Sequence, residues 1–115
     1  MIKIIHNPRC RKSREALKIL IEKKLNPVVI EYLKQNLNKT QIKEIISFLK
    51  QEDLNKIIRK NESIYKERYR EKKFSKSELV NVIYENPILL ERPIVIKGNR
   101  AIIGRPPEKI LDLFK

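Results

Sequence analysis

The chain has 115 residues, with 27 Lys and Arg against 14 Asp and Glu, a formal net charge of +13, one histidine and one cysteine. A lone cysteine excludes an internal disulfide framework, and one cysteine with one histidine argues against a protein-only zinc or iron–sulfur site. The charge favours anionic partners such as an oxyanion, an acidic protein or nucleic acid, unless it is only a lysine-rich composition solvating helix faces.

The length suits one domain, and isoleucines and leucines recur in periodic blocks, so a packed core is expected despite 36% charged residues. The opening "MIKIIHNP" has no apolar stretch long enough for a signal peptide or a membrane span. The reducing cytoplasm is the expected compartment, with no membrane partner.

In chain order, residues 1–5 read as a strand carrying Ile2, Ile4 and Ile5, and "HNP" as a turn. Residues 10–24 have helical spacing, with Ala16, Leu17, Leu20 and Ile21 on one face, and "LNP" ends the helix. Residues 28–32, "VVIEY", form the next strand. Strand, helix and strand within about thirty residues make a βαβ unit with parallel strands and a right-handed crossover.

Residues 35–86 read as a helical insert without a strand. One helix there places Ile42, Ile45, Ile46 and Leu49 inward after an Asn38 or Thr40 cap. A shorter helical segment covers "LNKIIRKN". Another helix starts at Ser75, with Glu78 at capping-box spacing, and turns Leu79, Val82 and Ile83 inward. In "YKERYREKKF" aromatics alternate with cations, as in single-strand binders. Glu67 and Glu71 interrupt it, however, and Tyr65 and Tyr69 suit a helix packing face, so no specific nucleic-acid partner is expected.

"RPIVIKGNRAIIG" returns to strand composition, with Gly98-Asn99 as a two-residue type II′ hairpin. "RPPEKILDLFK" restarts as a helix with proline in its first turn, burying Ile110, Leu111 and Phe114. The order β-α-β, helices, β-β-α describes an α/β chain in one domain over residues 1–115.

Cys10 falls where the first strand hands over to the first helix, among Arg9, Arg11, Lys12 and Arg14. Cations and a helix N-terminus both lower a thiol's pKa, and a helix N-terminus also binds oxyanions. The alternative is a small buried hydrophobe, which gains nothing from surrounding cations. Ser13, one turn on, is placed to donate a hydroxyl hydrogen bond, and Arg14 to reach the mouth of the site. His6 either hydrogen-bonds backbone at the strand end or acts in acid–base chemistry.

"HNPRCRKSREAL" resembles the active-site segment of the ArsC family of arsenate reductases, which use glutathione and glutaredoxin. "IRKNE", "NPILLERPIVI" and "GRPPE" resemble further motifs of that family, in the same order along essentially the whole chain. The resemblance implies a thioredoxin/glutaredoxin-like four-stranded mixed sheet with a helical insert. It implies that Cys10 attacks arsenate or a related oxyanion, with glutathione as co-substrate and glutaredoxin as partner. No bound cofactor and no metal are implied, and a monomer is expected. The family's three oxyanion-binding arginines fall on Arg59, Arg92 and Arg105, while His6, Ser13 and Arg14 fall on positions that support the nucleophile. Pro93 falls where thioredoxin-like folds carry a cis-proline opposite the nucleophile.

Arg11 departs from the family pattern, in which small or polar residues commonly follow the cysteine. Two other functions fit the implied fold. Spx-type regulators bind RNA polymerase and sense oxidants through a C-x-x-C pair, but Ser13 stands in the second position here. A glutathione-dependent oxidoreductase acting on another substrate is the second.

Overall fold

Strand β1 (Ile2–His6) buries Ile4 and Ile5 completely and is the central organiser of a four-stranded sheet. The computed structural model describes residues 1–51 and 53–115, in two units: Met1–Gln35 with Arg92–Lys115, and Asn36–Glu91.

In the first unit, β1 pairs in parallel with β2 (Val28–Glu31) on one side and antiparallel with β3 (Ile94–Lys97) on the other. Strand β4 (Arg100–Ile103) pairs antiparallel with β3, giving the order β2-β1-β3-β4. This mixed sheet, entered by β-α-β and closed by β-β-α, is the thioredoxin-like arrangement. Gly98 supplies the positive φ (61°) of the β3–β4 turn, as a type II′ hairpin requires.

Helix α1 (Arg11–Glu22) crosses between β1 and β2. Its buried residues are Ser13, Ala16 and Leu20, Leu17 and Ile19 pack partly against the core, and Ile21 is 59% exposed, so the inward face is rotated from the one the sequence pattern indicates. The helix stops two residues before the expected Lys24. Lys24 takes a left-handed φ of 59°, its N–H donates to Ile21 O and the Leu25 N–H to Leu20 O. That pair of bonds is a Schellman stop made without glycine.

The last element, Pro107–Phe114, is a 3-10 helix rather than an α-helix. Its buried residues are Pro107, Ile110 and Leu113, a strict spacing of three. Leu111 and Phe114, expected inside from an α-helical period, are only half-buried, while Leu113 takes the inner place. Ile110 and Leu113 join Ile2, Ile4, Ala16, Leu20 and Val95 in one core. Burying a side chain such as Leu20 contributes about 1.5–3 kcal/mol.

The second unit is mainly helical. Helix α2 (Lys39–Leu49) is capped by Asn38, which forms a reciprocal box with Gln41 and buries Ile42, Ile45, Ile46 and Leu49. Helix α3 (Ser63–Arg68) buries Tyr65. Helix α4 (Lys76–Glu85) starts from the Ser75–Glu78 capping box and buries Leu79, Val80, Val82 and Ile83.

The segment expected to be helical over "LNKIIRKN" is so only as a 3-10 turn at Leu54–Lys56. Ile57 ends the turn still in the helical region (φ −86°, ψ −21°), and the chain then leaves the helix for an isolated β-bridge. Ile58 bridges Leu90 in antiparallel fashion, the Arg59 N–H donates to Leu89 O and the Glu91 N–H to Ile57 O. Ile58, β-branched and buried, sits in this bridge, where another helical turn would restrict its side chain. Among the described residues, no helix is long and apolar enough to cross a membrane.

Candidate active site

Cys10 is the N-cap of α1, with extended backbone (φ −91°, ψ 122°). Its N–H donates to Asn7 O at 2.9 Å and its carbonyl accepts the Arg14 N–H at 3.0 Å, so the β1–α1 turn is closed on both sides of the thiol. The sulfur is neither buried nor fully exposed.

Side-chain hydrogen bonds from Ser13, Asn7 and Arg14 brace this turn. Ser13, fully buried, places its Oγ 2.6 Å from His6 Nδ1 and accepts the Asn7 N–H at 3.1 Å. Asn7 Oδ1 accepts the Arg9 N–H at 3.0 Å. Arg14 Nη1 donates to Pro8 O at 3.1 Å. The serine hydroxyl, expected to face the sulfur, therefore ties the loop to the strand end. Arg14 clamps the outside of the same loop.

Burial pushes the Cys10 thiol up, but the Ser13 backbone N–H, the Arg92 guanidinium and then the charge of Arg105 outweigh it and hold the thiol below its ordinary value. These cations are not the ones adjacent in sequence. Arg11 is engaged with Glu15 at 3.0 Å on an exposed face of α1, and Arg9 and Lys12 are exposed.

Arg105 Nη2 lies 3.7 Å from Cys10 Sγ, and Arg105 Nε donates to Arg92 O at 2.9 Å. Arg92, only 8% exposed, precedes β3, and its Nη1 donates to the Tyr32 hydroxyl at 3.4 Å. The Arg92–Pro93 and Arg105–Pro106 bonds are both cis. The Gly104 N–H donates to Pro93 O at 2.9 Å, so the segments carrying the two arginines are bonded to each other. Both lie where β3 begins and β4 ends, the end of the sheet at which β1 delivers Cys10.

His6 is buried, and burial holds its pKa below the ordinary histidine value. The Glu31 carboxylate, its cross-strand neighbour, opposes this, and Arg14 adds to it. A neutral imidazole locked onto Ser13 acts as a brace for the turn. Its observed partner is a side chain, not the backbone group that the strand-end reading anticipates.

The sequence profile of the ArsC family matches residues 5–113. The chain belongs to the ArsC family. It is 38% identical over 112 residues to an arsenate reductase of Haemophilus influenzae, covering 96% of this chain and 97% of that one. It is 37% identical over 113 residues to YfgD, an uncharacterized protein of Escherichia coli, covering 97% and 95%. Among solved structures, an arsenate reductase from Vibrio cholerae superposes with a TM-score of 0.90 at 36% identity, covering 96% of this chain and 95% of that chain.

Two features of this ArsC chain escape the sequence reading. Tyr32 was visible only as the end of a strand, yet it is 1% exposed and holds Arg92. Its signal was its place: a phenol at the C-terminal end of a parallel strand sits at the end of the sheet where ligands bind. The other is Glu91. Arg59 belongs to the second unit, where Nη1 makes a 2.9 Å ion pair with the Glu91 carboxylate, both side chains being less than one-fifth exposed. The motif "ERPIV" contained that glutamate, but nothing in its spacing paired it with a residue 32 positions earlier.

Proposed function

We propose that this ArsC-family protein is an arsenate reductase in which Cys10 is the nucleophile. The observation that carries the reading is the guanidinium of Arg105 at 3.7 Å from the thiol of the residue at the N-cap position of α1. A tetrahedral oxyanion meets there free N–H groups of the first turn of α1 and the guanidiniums of Arg92 and Arg105. Arg59 enters as a third oxyanion ligand on the family motif alone.

The Cys10 thiolate attacks arsenic, and an arsenate oxygen leaves as water after protonation, giving a sulfur–arsenic(V) adduct. The arginines offset the negative charge that gathers on the oxyanion as sulfur approaches. A glutathione thiolate then attacks the Cys10 sulfur. The sulfur–arsenic electron pair stays on arsenic, which leaves as arsenite. The two thiols have together lost two electrons and are joined as a mixed disulfide. Glutaredoxin removes the glutathionyl group and restores the Cys10 thiol. Glutathione is a co-substrate, no bound cofactor takes part, and a monomer in the cytoplasm suffices.

The supports of the turn have separate tasks in this reading. His6 and Ser13 fix the position of the first turn of α1, Arg14 closes its loop, and the Pro93 segment carries Arg92. The test is arsenite formation from arsenate with glutathione and glutaredoxin. Wild-type protein is expected to turn over and Cys10→Ser to be inactive while still binding sulfate or arsenate. A wild-type protein without turnover, or an active Cys10→Ser, would remove the reading.

A further inference from the structure

In the reaction proposed above, Arg92 and Arg105 face the arsenic oxygens once Cys10 is bonded to arsenic. The glutathione that attacks next is itself an anion, with a thiolate in the middle of the tripeptide and a carboxylate at each end against one ammonium. It needs cations that the oxyanion does not occupy. Four basic residues flank Cys10 in the chain, and the structure divides them by their existing partners. Arg11 Nε donates to Glu15 Oε1 at 3.0 Å, so its charge is already met. Arg14 Nη1 donates to Pro8 O at 3.1 Å and closes the loop. Arg9 and Lys12 are exposed, and among the described residues neither side chain makes a hydrogen bond or an ion pair.

We propose that Arg9 and Lys12 are the docking cations for the two carboxylates of glutathione, an assignment that rests on the reading of Cys10 as the thiol from which glutathione displaces arsenic. Arg9 directly precedes Cys10 and Lys12 is the second residue of α1, so the two lie on opposite sides of Cys10 along the chain. The backbone of each is within about 7 Å of that of Cys10. The charges acting on the sulfur are those of Arg92 and Arg105, so Arg9 and Lys12 act on what approaches the nucleophile. Exposed cations beside a reactive atom raise the local concentration of an anionic reactant. The Arg9 backbone is held independently of its side chain, by its N–H on Asn7 Oδ1 at 3.0 Å, so the side chain can be replaced without releasing the loop.

The test uses thiol–disulfide exchange, which needs no arsenate. The Cys10 thiolate attacks one sulfur of glutathione disulfide, the sulfur–sulfur bond breaks, and one glutathione leaves as its thiolate while the other stays on Cys10. The neutral probe 2-hydroxyethyl disulfide undergoes the same exchange without carboxylates. In the double variant Arg9→Gln, Lys12→Gln, the rate with glutathione disulfide should fall roughly three- to tenfold, within what two exposed ion pairs are worth. The rate with the neutral probe should stay at the wild-type value. High salt should bring the wild-type rate with glutathione disulfide toward that of the double variant. Arg11→Gln removes the same unit of net charge from a residue already paired, so it should cost less than Arg9→Gln or Lys12→Gln alone. Equal falls with both disulfides, an unchanged rate with glutathione disulfide, or an equal loss in Arg11→Gln would overturn the assignment. A protein without arsenate turnover that keeps this charge selectivity would overturn the arsenate reading and leave Arg9 and Lys12 their role. Arsenite formation by the double variant with an unchanged KM for glutathione would do the reverse.

Discussion

Replacing Arg105 by alanine removes its contacts at 3.7 Å to Cys10 Sγ and at 2.9 Å to Arg92 O. At 3.7 Å a unit charge attracts a thiolate by about 1 kcal/mol in water and about 4.5 kcal/mol at an effective dielectric near 20. Cys10 is partly exposed, so the lower half of that range applies, about 1–2.5 kcal/mol. The oxyanion loses in addition a charge-assisted contact of about 1.5–3 kcal/mol. Since both losses fall on the same step, kcat/KM for arsenate should drop at least ~10- to 100-fold. The alkylation profile of Cys10 should move toward higher pH. Arg105→Lys keeps the charge but cannot make the paired, planar contact, so it should recover thiol reactivity better than turnover. The assays are alkylation rate against pH and glutaredoxin-coupled arsenate reduction. If Arg105→Ala leaves both at wild-type values, the electrostatic account of the site is wrong.

Other predictions follow from the packing and the titrating groups. At Gly104 a Cβ would lie 2.9 Å from Pro93 Cγ and 3.0 Å from Ile110 Cγ2, so Gly104→Ala should cost about 1–3 kcal/mol and weaken sulfate binding by displacing Arg105. A wild-type urea midpoint for Gly104→Ala would show that the contact relaxes freely. His6 is held below its ordinary pKa by burial, so on acidification the unfolded chain takes up its proton first. The stability that this histidine contributes is complete above about pH 6.5 and is lost as pH falls from there through the folded value. Urea titrations of wild type and His6→Gln at about pH 7.5 and pH 5 should therefore converge in acid, and a stability difference independent of pH would contradict it.

What the sequence made legible was local. The strand-turn-helix at Cys10, the Ser75–Glu78 box and the Gly98-Asn99 hairpin each depend on residues a few positions apart, and all three are present. The errors also have local causes. Residues 107–114 carry apolar side chains at positions compatible with both helical periods, and only tertiary packing selected the period of three that places Leu113 inside. Ile57 and Ile58 were assigned to a helix because their partner segment, around Leu90, lies more than thirty residues away. The same distance hid the electrostatics. Adjacent Arg9, Arg11 and Lys12 suggested the activating charge, but the cations acting on the sulfur come from Arg92 and Arg105, which β3 and β4 bring to the end of β1. Family motifs pointed to Arg59, Arg92 and Arg105, whereas the hydrogen bond of Arg92 to Tyr32 and the ion pair of Arg59 with Glu91 required coordinates.

The central claim is that Cys10 attacks the oxyanion and is then released by glutathione. Intact-mass measurement after incubation with arsenate and glutathione, with glutaredoxin withheld, tests it most directly. The account predicts one glutathione on Cys10 per turnover, formed together with arsenite, dependent on arsenate and reversed by adding glutaredoxin. An adduct that forms equally without arsenate, or arsenite produced by Cys10→Ser, would contradict it.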